Sequence, residues 1–135
     1  MSEREWIPVR QVMRTDVTLV NGLIDVLEAL KIMKRVQATC LIIEKRHERD
    51  EYGVLLFSDI AKKVIARDRA PERVNVYEIM SKPVVSVSPD MDIRYCARLF
   101  ENFGISHAPV IENDEVIGIV SYYLIVLEGL PDLDD

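Results

Sequence analysis

Apolar residues are grouped along the first half of the chain in an order that predicts three strands and a helix. Residues 17–20 (VTLV) and 39–43 (TCLII) are short apolar runs typical of β-strands. Between them, over residues 24–36, apolar residues recur at spacings of three and four, which is the period of an amphipathic helix. A charged loop at 45–52 (KRHERDEY) leads to the apolar run 53–57, which predicts the third strand. The loop is expected to be solvated, although it is long enough to contact a partner.

The ends of these elements carry residues that begin or end helices. Ser58 is predicted to cap a helix that continues to Arg67, and Asp90 to cap a helix that ends at Gly104. The inner face of the latter helix is expected to carry Ile93, Ala97, Phe100 and Phe103. Asn113 and Asp114 suit a tight turn between two strands. The remaining elements of the second half are predicted as strands at 84–87, 107–112 and 116–121 and a last helix at 121–127.

The second half repeats the first. VRQVMRTDVTLV from Val9 matches VYEIMSKPVVSV from Val76, and Met13 then pairs with Met80 at a shift of 67 residues. We therefore interpret residues 1–68 as one β-α-β-β-α repeat and residues 69–135 as a second. Because neither repeat is long enough to bury its own sheet, the predicted fold is α/β (α+β), with two pseudo-symmetric repeats packed sheet to sheet.

Composition and charge narrow the classes of function. The 135 residues are 49% hydrophobic and carry a net charge of -6, which argues against a nucleic-acid partner. Cys40 and Cys96 lack the spacing of a metal site and are expected to be buried free thiols, and no metal is expected. The longest apolar stretch is too short to cross a membrane, and the first residues do not form a signal peptide. We expect a cytoplasmic protein.

The duplicated motifs resemble a known family. Val-x-x-Val-Met at 9–13, Val-x-x-Ile-Met at 76–80 and GISHAPVIENDEVIGIVS at 104–121 are similar to the signature segments of CBS domains. A tandem of two such domains is called a Bateman module. The resemblance implies a regulatory module that signals to a partner and has no enzymatic activity. It also implies an adenosine-containing ligand in a cleft between the repeats, such as AMP, ADP, ATP or S-adenosylmethionine.

The resemblance also implies which residues contact that ligand. The family motif is Gly-apolar-x-Thr/Ser-x-x-Asp, in which the acid and the hydroxyl hold the ribose and phosphate. The first repeat has Asp59 but places Leu56 at the hydroxyl position. The second repeat has Ser121 but places Leu124 at the acid position.

Further contacts follow from the same resemblance. One cleft would combine Val17 and Thr18 with His107 and Ser121, and the other would combine Val84 and Ser86 with Thr39 and Asp59. The remaining ligand-binding candidates, all close to the second-repeat motif, are Ser106, Pro109 and Tyr122.

Several of these residues also have structural interpretations. Asp59 and Ser121 could serve only as helix caps, and His107 could be a structural histidine rather than a phosphate contact or a pH sensor. Tyr122 and Tyr123 could pack in an interface or stack on a base. The apolar last helix predicts a homodimer. A ligand-free module for dimerisation or for docking an unknown protein partner is therefore the alternative function.

Overall fold

The structure, a computed structural model, describes residues 5–82 and 85–130. The chain forms two compact units. The central unit comprises Thr18–Val84, and the terminal unit comprises Met1–Val17 together with Val85–Asp135. The boundary between the sequence repeats, 1–68 and 69–135, does not coincide with the boundaries of these units. The division into domains at that boundary stays a prediction.

The central unit contains a three-stranded sheet in the order β1-β2-β3. β1 runs parallel to β2, and β2 is antiparallel to β3, with Cys40 opposite Leu56 and Ile43 opposite Gly53. A π-helical turn, Ala61–Ile65, continues the short second helix. In chain order the elements are β1 (Leu19–Val20), α1 (Val26–Val36), β2 (Cys40–Ile43), β3 (Gly53–Leu56) and α2 (Phe57–Ile60).

One face of this sheet is covered by α1 and by the segment around Val76. Val26, Ala29 and Met33, spaced by three and four along α1, are buried. They form one hydrophobic core with Leu41, Leu55 and Val76, among others. Val76 belongs to the second repeat in sequence, so the central unit contains the start of that repeat.

The terminal unit is built on an antiparallel pair of strands. Its elements in chain order are α3 (Ile93–Phe103), β4 (His107–Glu112), β5 (Glu115–Ser121) and α4 (Tyr122–Gly129). Asn113 and Asp114 both have positive φ angles, which confirms the predicted tight turn between β4 and β5. Phe100 and Val9 are fully buried in its core. Val9 comes from the first repeat in sequence, as Val76 comes from the second in the central unit.

Both predicted helix caps at Ser58 and Asp90 were wrong. α2 begins at Phe57, and its N-cap is Leu56, because the chain leaves β3 directly into the helix. α3 is capped by Asp92, whose side chain accepts a hydrogen bond from the backbone N–H of Arg94. Asp90 is exposed and lies in a turn before the cap.

Three predictions about burial also need correction. Cys96 is buried as expected, but Cys40 is only half-buried. Phe103, expected on the inner face of α3, is 61% exposed because it lies in the last turn of the helix, beyond the core. Asp50 in the charged loop is buried, whereas the whole loop was expected to be solvated. The predicted strand at 84–87 includes Val84, which lies outside the described residues.

Candidate functional site

Four of the predicted site residues come together in the terminal unit, where β4 begins and β5 ends. His107 is the first residue of β4 and pairs with Ser121, the last residue of β5. Ser106 Oγ lies 2.8 Å from His107 Nδ1, and the backbone N–H of Tyr122 donates to the carbonyl oxygen of Ser106 at 3.3 Å. We call Ser106, His107, Ser121 and Tyr122 the β4–β5 polar group.

His107 is the titratable member of this group. Its side chain is partly buried, and this burial lowers the pKa of the imidazole because the protein interior disfavours the charged form. The ring is therefore neutral at neutral pH and can both donate and accept a hydrogen bond. A neutral imidazole beside hydroxyl groups suits a polar uncharged ligand group better than it suits a phosphate.

Ser121 has a structural role that does not depend on a ligand. It is the N-cap of α4, and its hydroxyl oxygen accepts a hydrogen bond from the backbone N–H of Leu124 at 3.3 Å. Ser121 is buried, with 8% of its surface exposed. The hydroxyl proton remains available as a donor, since capping uses only an oxygen lone pair.

Asp59 lies in the central unit at the equivalent helix start. Its Oδ2 accepts a hydrogen bond from the backbone N–H of Leu56 at 2.9 Å, and its Oδ1 lies 3.7 Å from Lys63 Nζ. The residue is 9% exposed. Asp59 therefore acts as the acid of the first turn of α2, which the helix dipole favours.

The two helix starts carry complementary halves of one capping arrangement. In a complete capping box, a hydroxyl at the N-cap accepts from the third helical N–H, and an acid at the third position accepts from the N-cap N–H. The central unit has the acid, Asp59, without the hydroxyl, because its N-cap is Leu56. The terminal unit has the hydroxyl, Ser121, without the acid, because its third position is Leu124. The incomplete motifs seen in the sequence are thus incomplete capping boxes.

The other predicted site residues are distributed over both units. Thr39 is exposed and directly precedes β2, whereas Thr18 is half-buried beside β1. Pro109 is buried within β4, where its carbonyl oxygen accepts a hydrogen bond from the backbone N–H of Val87. The last three candidates are Val17, which is half-buried, Ser86, which is exposed, and Val84, which lies outside the described residues.

The described residues hold no group of three or more His, Cys, Asp and Glu side chains that could bind a metal ion. Over the same part of the chain, no helix has the length and apolar character needed to cross a membrane. The sequence analysis missed one feature, a pocket beside the charged loop in the central unit. The feature of the sequence that could have indicated this pocket is the length of the charged loop.

Comparison with known proteins agrees with the fold and the repeats. The family model for the CBS domain matches twice, at residues 9–66 and 76–127. An uncharacterised protein of Methanopyrus kandleri is 34% identical over 77 residues, which is 56% of this chain and 39% of that protein. The chain thus spans less than half the length of that relative.

Two solved structures show the same fold. The hexameric CBS-CP12 protein from bloom-forming cyanobacteria is 38% identical, with a TM-score of 0.87 over 90% of this chain and 70% of that one. The CBS domain pair of protein MJ0100, in complex with 5'-methylthioadenosine and S-adenosyl-L-methionine, is 24% identical, with a TM-score of 0.77 over 90% and 94% of the two chains. The two family matches cover most of the sequence, and the chain therefore belongs to the CBS domain family as a tandem CBS domain protein.

Proposed function

We propose that this chain is a non-catalytic regulatory module that binds an adenosine-containing ligand and signals the bound state to a partner protein. The observation that carries the proposal is the β4–β5 polar group. It places a buried serine hydroxyl opposite a neutral histidine at the start of a helix. Hydroxyl and imidazole groups in this arrangement can donate to and accept from a ribose or a purine edge.

A family relative supports the class of ligand. The MJ0100 domain pair was solved with 5'-methylthioadenosine and S-adenosyl-L-methionine, which share an adenosine part. Because His107 is neutral and the hydroxyls carry no charge, the β4–β5 polar group suits the adenosine part itself. We therefore expect methylthioadenosine or S-adenosylmethionine to bind at least as well as AMP, ADP or ATP.

A thermal-shift titration tests this proposal. The chain is heated with methylthioadenosine, S-adenosylmethionine, AMP, ADP or ATP, and guanosine serves as the base control. A ligand at 100 times its dissociation constant stabilises the folded state by about 2.7 kcal/mol, which raises the melting midpoint by several degrees. No shift with any adenosine compound at millimolar concentration would overturn the proposal.

Variants then place the ligand. Ser121→Ala and His107→Ala should each reduce the ligand-induced shift, whereas Ser58→Ala, an exposed serine on α2, should leave it unchanged. The shift is compared with and without ligand for each variant, because loss of the Ser121 cap lowers the midpoint by itself. Asp59→Asn tests the central unit in the same way. A ligand-induced shift that stays unchanged in Ser121→Ala, His107→Ala and Asp59→Asn would contradict the proposed ligand site.

The second candidate function is assembly without a ligand, and the surface of α4 favours it. Tyr123, Val126 and Leu127 are exposed on this helix. Exposed apolar side chains grouped on one helix favour an interaction surface. The similarity to a hexameric CBS-CP12 protein supports self-association of this chain. We expect a homodimer, and regulation and assembly are compatible in one molecule.

A further inference from the structure

A pocket of about 560 Å³ opens in the central unit, at the edge of the sheet where β2 ends and β3 begins. Ile43, the last residue of β2, is one of its lining residues. Asp59 and Thr39 belong to the opposite end of the same strands, because Cys40 pairs with Leu56 there. None of the described residues named for the candidate adenosine site lines this corner pocket, and its volume lies in the range of small-molecule sites.

The loop between β2 and β3 forms one side of the corner pocket. Nine residues, 44–52, join these strands, whereas two residues, 113–114, join β4 and β5 in the terminal unit. Arg10, the counterpart of Tyr77 at the 67-residue shift, forms an ion pair with Glu112 at 2.8 Å. At this corner the central unit thus differs from the terminal unit in two ways: its loop is longer, and it has Tyr77 where the terminal unit has the ion-paired Arg10.

A buried charged centre holds the loop in place. Asp50 is 8% exposed, and its carboxylate lies 2.6 Å from Lys82 Nζ and 3.0 Å from Arg46 Nε. The backbone N–H of Arg46 donates to the same carboxylate at 2.8 Å. These hydrogen bonds hold the pKa of Asp50 far below its usual range, so the carboxylate stays ionised. The wall of the corner pocket is therefore built by fixed groups that join the loop to residue 82.

The charges that line the corner pocket leave an excess of carboxylates. Arg46 and Lys82 are its cations, and both are paired with Asp50. Glu44 and Glu51 also line the pocket, and neither has an ion-pair partner among the described residues. An anionic ligand would be repelled by the carboxylates of Glu44 and Glu51. A cationic ligand could form ion pairs with them, because they form none within the described part of the protein.

Apolar side chains provide the rest of the lining. Leu23 and Tyr77 line the pocket and are 72% and 50% exposed, so a bound ligand could cover them. Met80 lines the pocket and packs partly on the hydrophobic core of the unit. An aromatic face and a thioether favour contact with a flat or aliphatic body, and the tyrosine face also attracts a cation.

We propose that the corner pocket binds a small organic cation, an amine with an aromatic or aliphatic body. The ammonium group interacts with Glu44 and Glu51, and the body packs against Leu23, Tyr77 and Met80. Because the pocket lining includes neither Asp59 nor any member of the β4–β5 polar group, this binding does not use the residues proposed for the adenosine ligand.

A matched set of three probes tests the proposal on the full chain. Phenethylamine, 2-phenylethanol and phenylacetate share a ring and differ in charge. Titration is followed by amide chemical shifts, with affected signals expected at residues 21–23, 44–51 and 77–82. Phenethylamine should bind most tightly and phenylacetate least, and added salt should weaken the amine alone. Failure of phenethylamine to bind at millimolar concentration, or tighter binding of phenylacetate, would overturn the proposal.

Variants separate charge recognition from apolar contact. The double variant Glu44→Gln/Glu51→Gln should weaken phenethylamine binding by about threefold to fivefold, as expected for exposed ion pairs, and leave 2-phenylethanol unchanged. Glu72→Gln, an exposed carboxylate of the same unit outside the pocket, is the control and should change neither. Tyr77→Ala should weaken both probes. A weakening by Glu72→Gln equal to that of either single variant, Glu44→Gln or Glu51→Gln, would show that only the net charge of the protein matters and would overturn the proposed site.

Discussion

Asp92 shows how a single buried charge is stabilised in the terminal unit. Its side chain is completely buried, yet it is ionised and fully hydrogen-bonded. Arg94 donates to it twice through its guanidinium, at 3.1 Å from Nε and 2.8 Å from Nη2. The following backbone N–H, of Ile93, donates to the carbonyl oxygen of Ile7, which ties the N-terminal segment to the start of α3. Burial of this carboxylate is favourable only because all these partners are present.

Replacement of Asp92 should therefore lower stability strongly. Asp92→Ala removes a helix cap and leaves the Arg94 guanidinium without its partner, so we expect the free energy of unfolding to fall by about 2–3 kcal/mol. Asp90→Ala, at the exposed position two residues earlier, should change it by less than about 0.5 kcal/mol. Urea unfolding of both variants measures the difference. Equal effects would contradict the assignment of Asp92 as the cap.

The contribution of Asp92 should also depend on pH. The Arg94 side-chain hydrogen bond lowers the pKa of Asp92 below its ordinary value of 3.8, more than burial raises it. Its stabilising charge is thus fully present above about pH 4 and is lost as the pH falls from 3.8 through the lower folded-state pKa. Asp92→Asn should accordingly be less stable than the wild type at pH 6 and lose that difference in strong acid.

At the scale of elements, the same contact joins the start of each repeat to a pair of strands. Each start forms a short 3-10 turn, at Val9–Gln11 and at Val76–Glu78. The Sδ atom of Met13 would lie 2.7 Å from a Cβ atom added at Gly118, and the Sδ atom of Met80 would lie 2.7 Å from one added at Gly53. The methionine that ends each Val-x-x-Val/Ile-Met motif therefore packs on a glycine of β5 or β3. This packing explains why these two residue types recur in both repeats.

Substitution of the two glycines should have unequal effects. An added Cβ at Gly118 would also meet the carbonyl oxygen of Arg14 at 2.8 Å, and that backbone is fixed by hydrogen bonds to Ile119 in both directions. At Gly53 the closest atom is the flexible end of Met80. We expect Gly118→Ala to lower the free energy of unfolding by about 1–3 kcal/mol and Gly53→Ala by less.

Chemical denaturation measures both glycine effects. The combined loss in the double variant Gly53→Ala/Met80→Ala should be smaller than the sum of the two single losses, because Met80→Ala removes the sulfur atom that the new methyl group meets. An equal loss at the two glycines would show that the Arg14 carbonyl oxygen can move and would contradict the expectation.

The sequence predicted most elements but misplaced their ends, and the reason is physical. The periodicity of α1 and the tight turn at Asn113 could be recognised because they depend on local chemistry. The choice between Asp90 and Asp92 as a cap depends on the N-terminal segment, which reaches α3 from far along the chain. The corner pocket was missed for the same reason, since the buried carboxylate of Asp50 accepts a hydrogen bond from Lys82, which is 32 residues away in the sequence.

At the scale of the whole molecule, each compact unit contains the beginning of one repeat and the remainder of the other. Val9 packs into the core with α3 and β4, whereas Val76, its counterpart at the 67-residue shift, packs into the core with α1 and β2. The sequence showed the duplication but not this exchange, because periodicity does not indicate which core a residue enters. Each core thus depends on residues from both repeats, so we expect neither repeat to fold well when separated from the other.

Self-association is the last expectation at this scale. Tyr123 is 69% exposed and Val126 and Leu127 are 48% and 44% exposed, although α4 is an apolar helix. Covering them against a second copy of the chain would remove apolar surface from water, which favours a homodimer. The double variant Val126→Asp/Leu127→Asp should then be monomeric, because it would bury four carboxylates in the dimer. Leu23→Asp, at an exposed leucine of the central unit outside α4, is the control and should stay dimeric. Sedimentation at micromolar concentration distinguishes these states, and a monomeric wild type would contradict the expectation that a second copy covers α4.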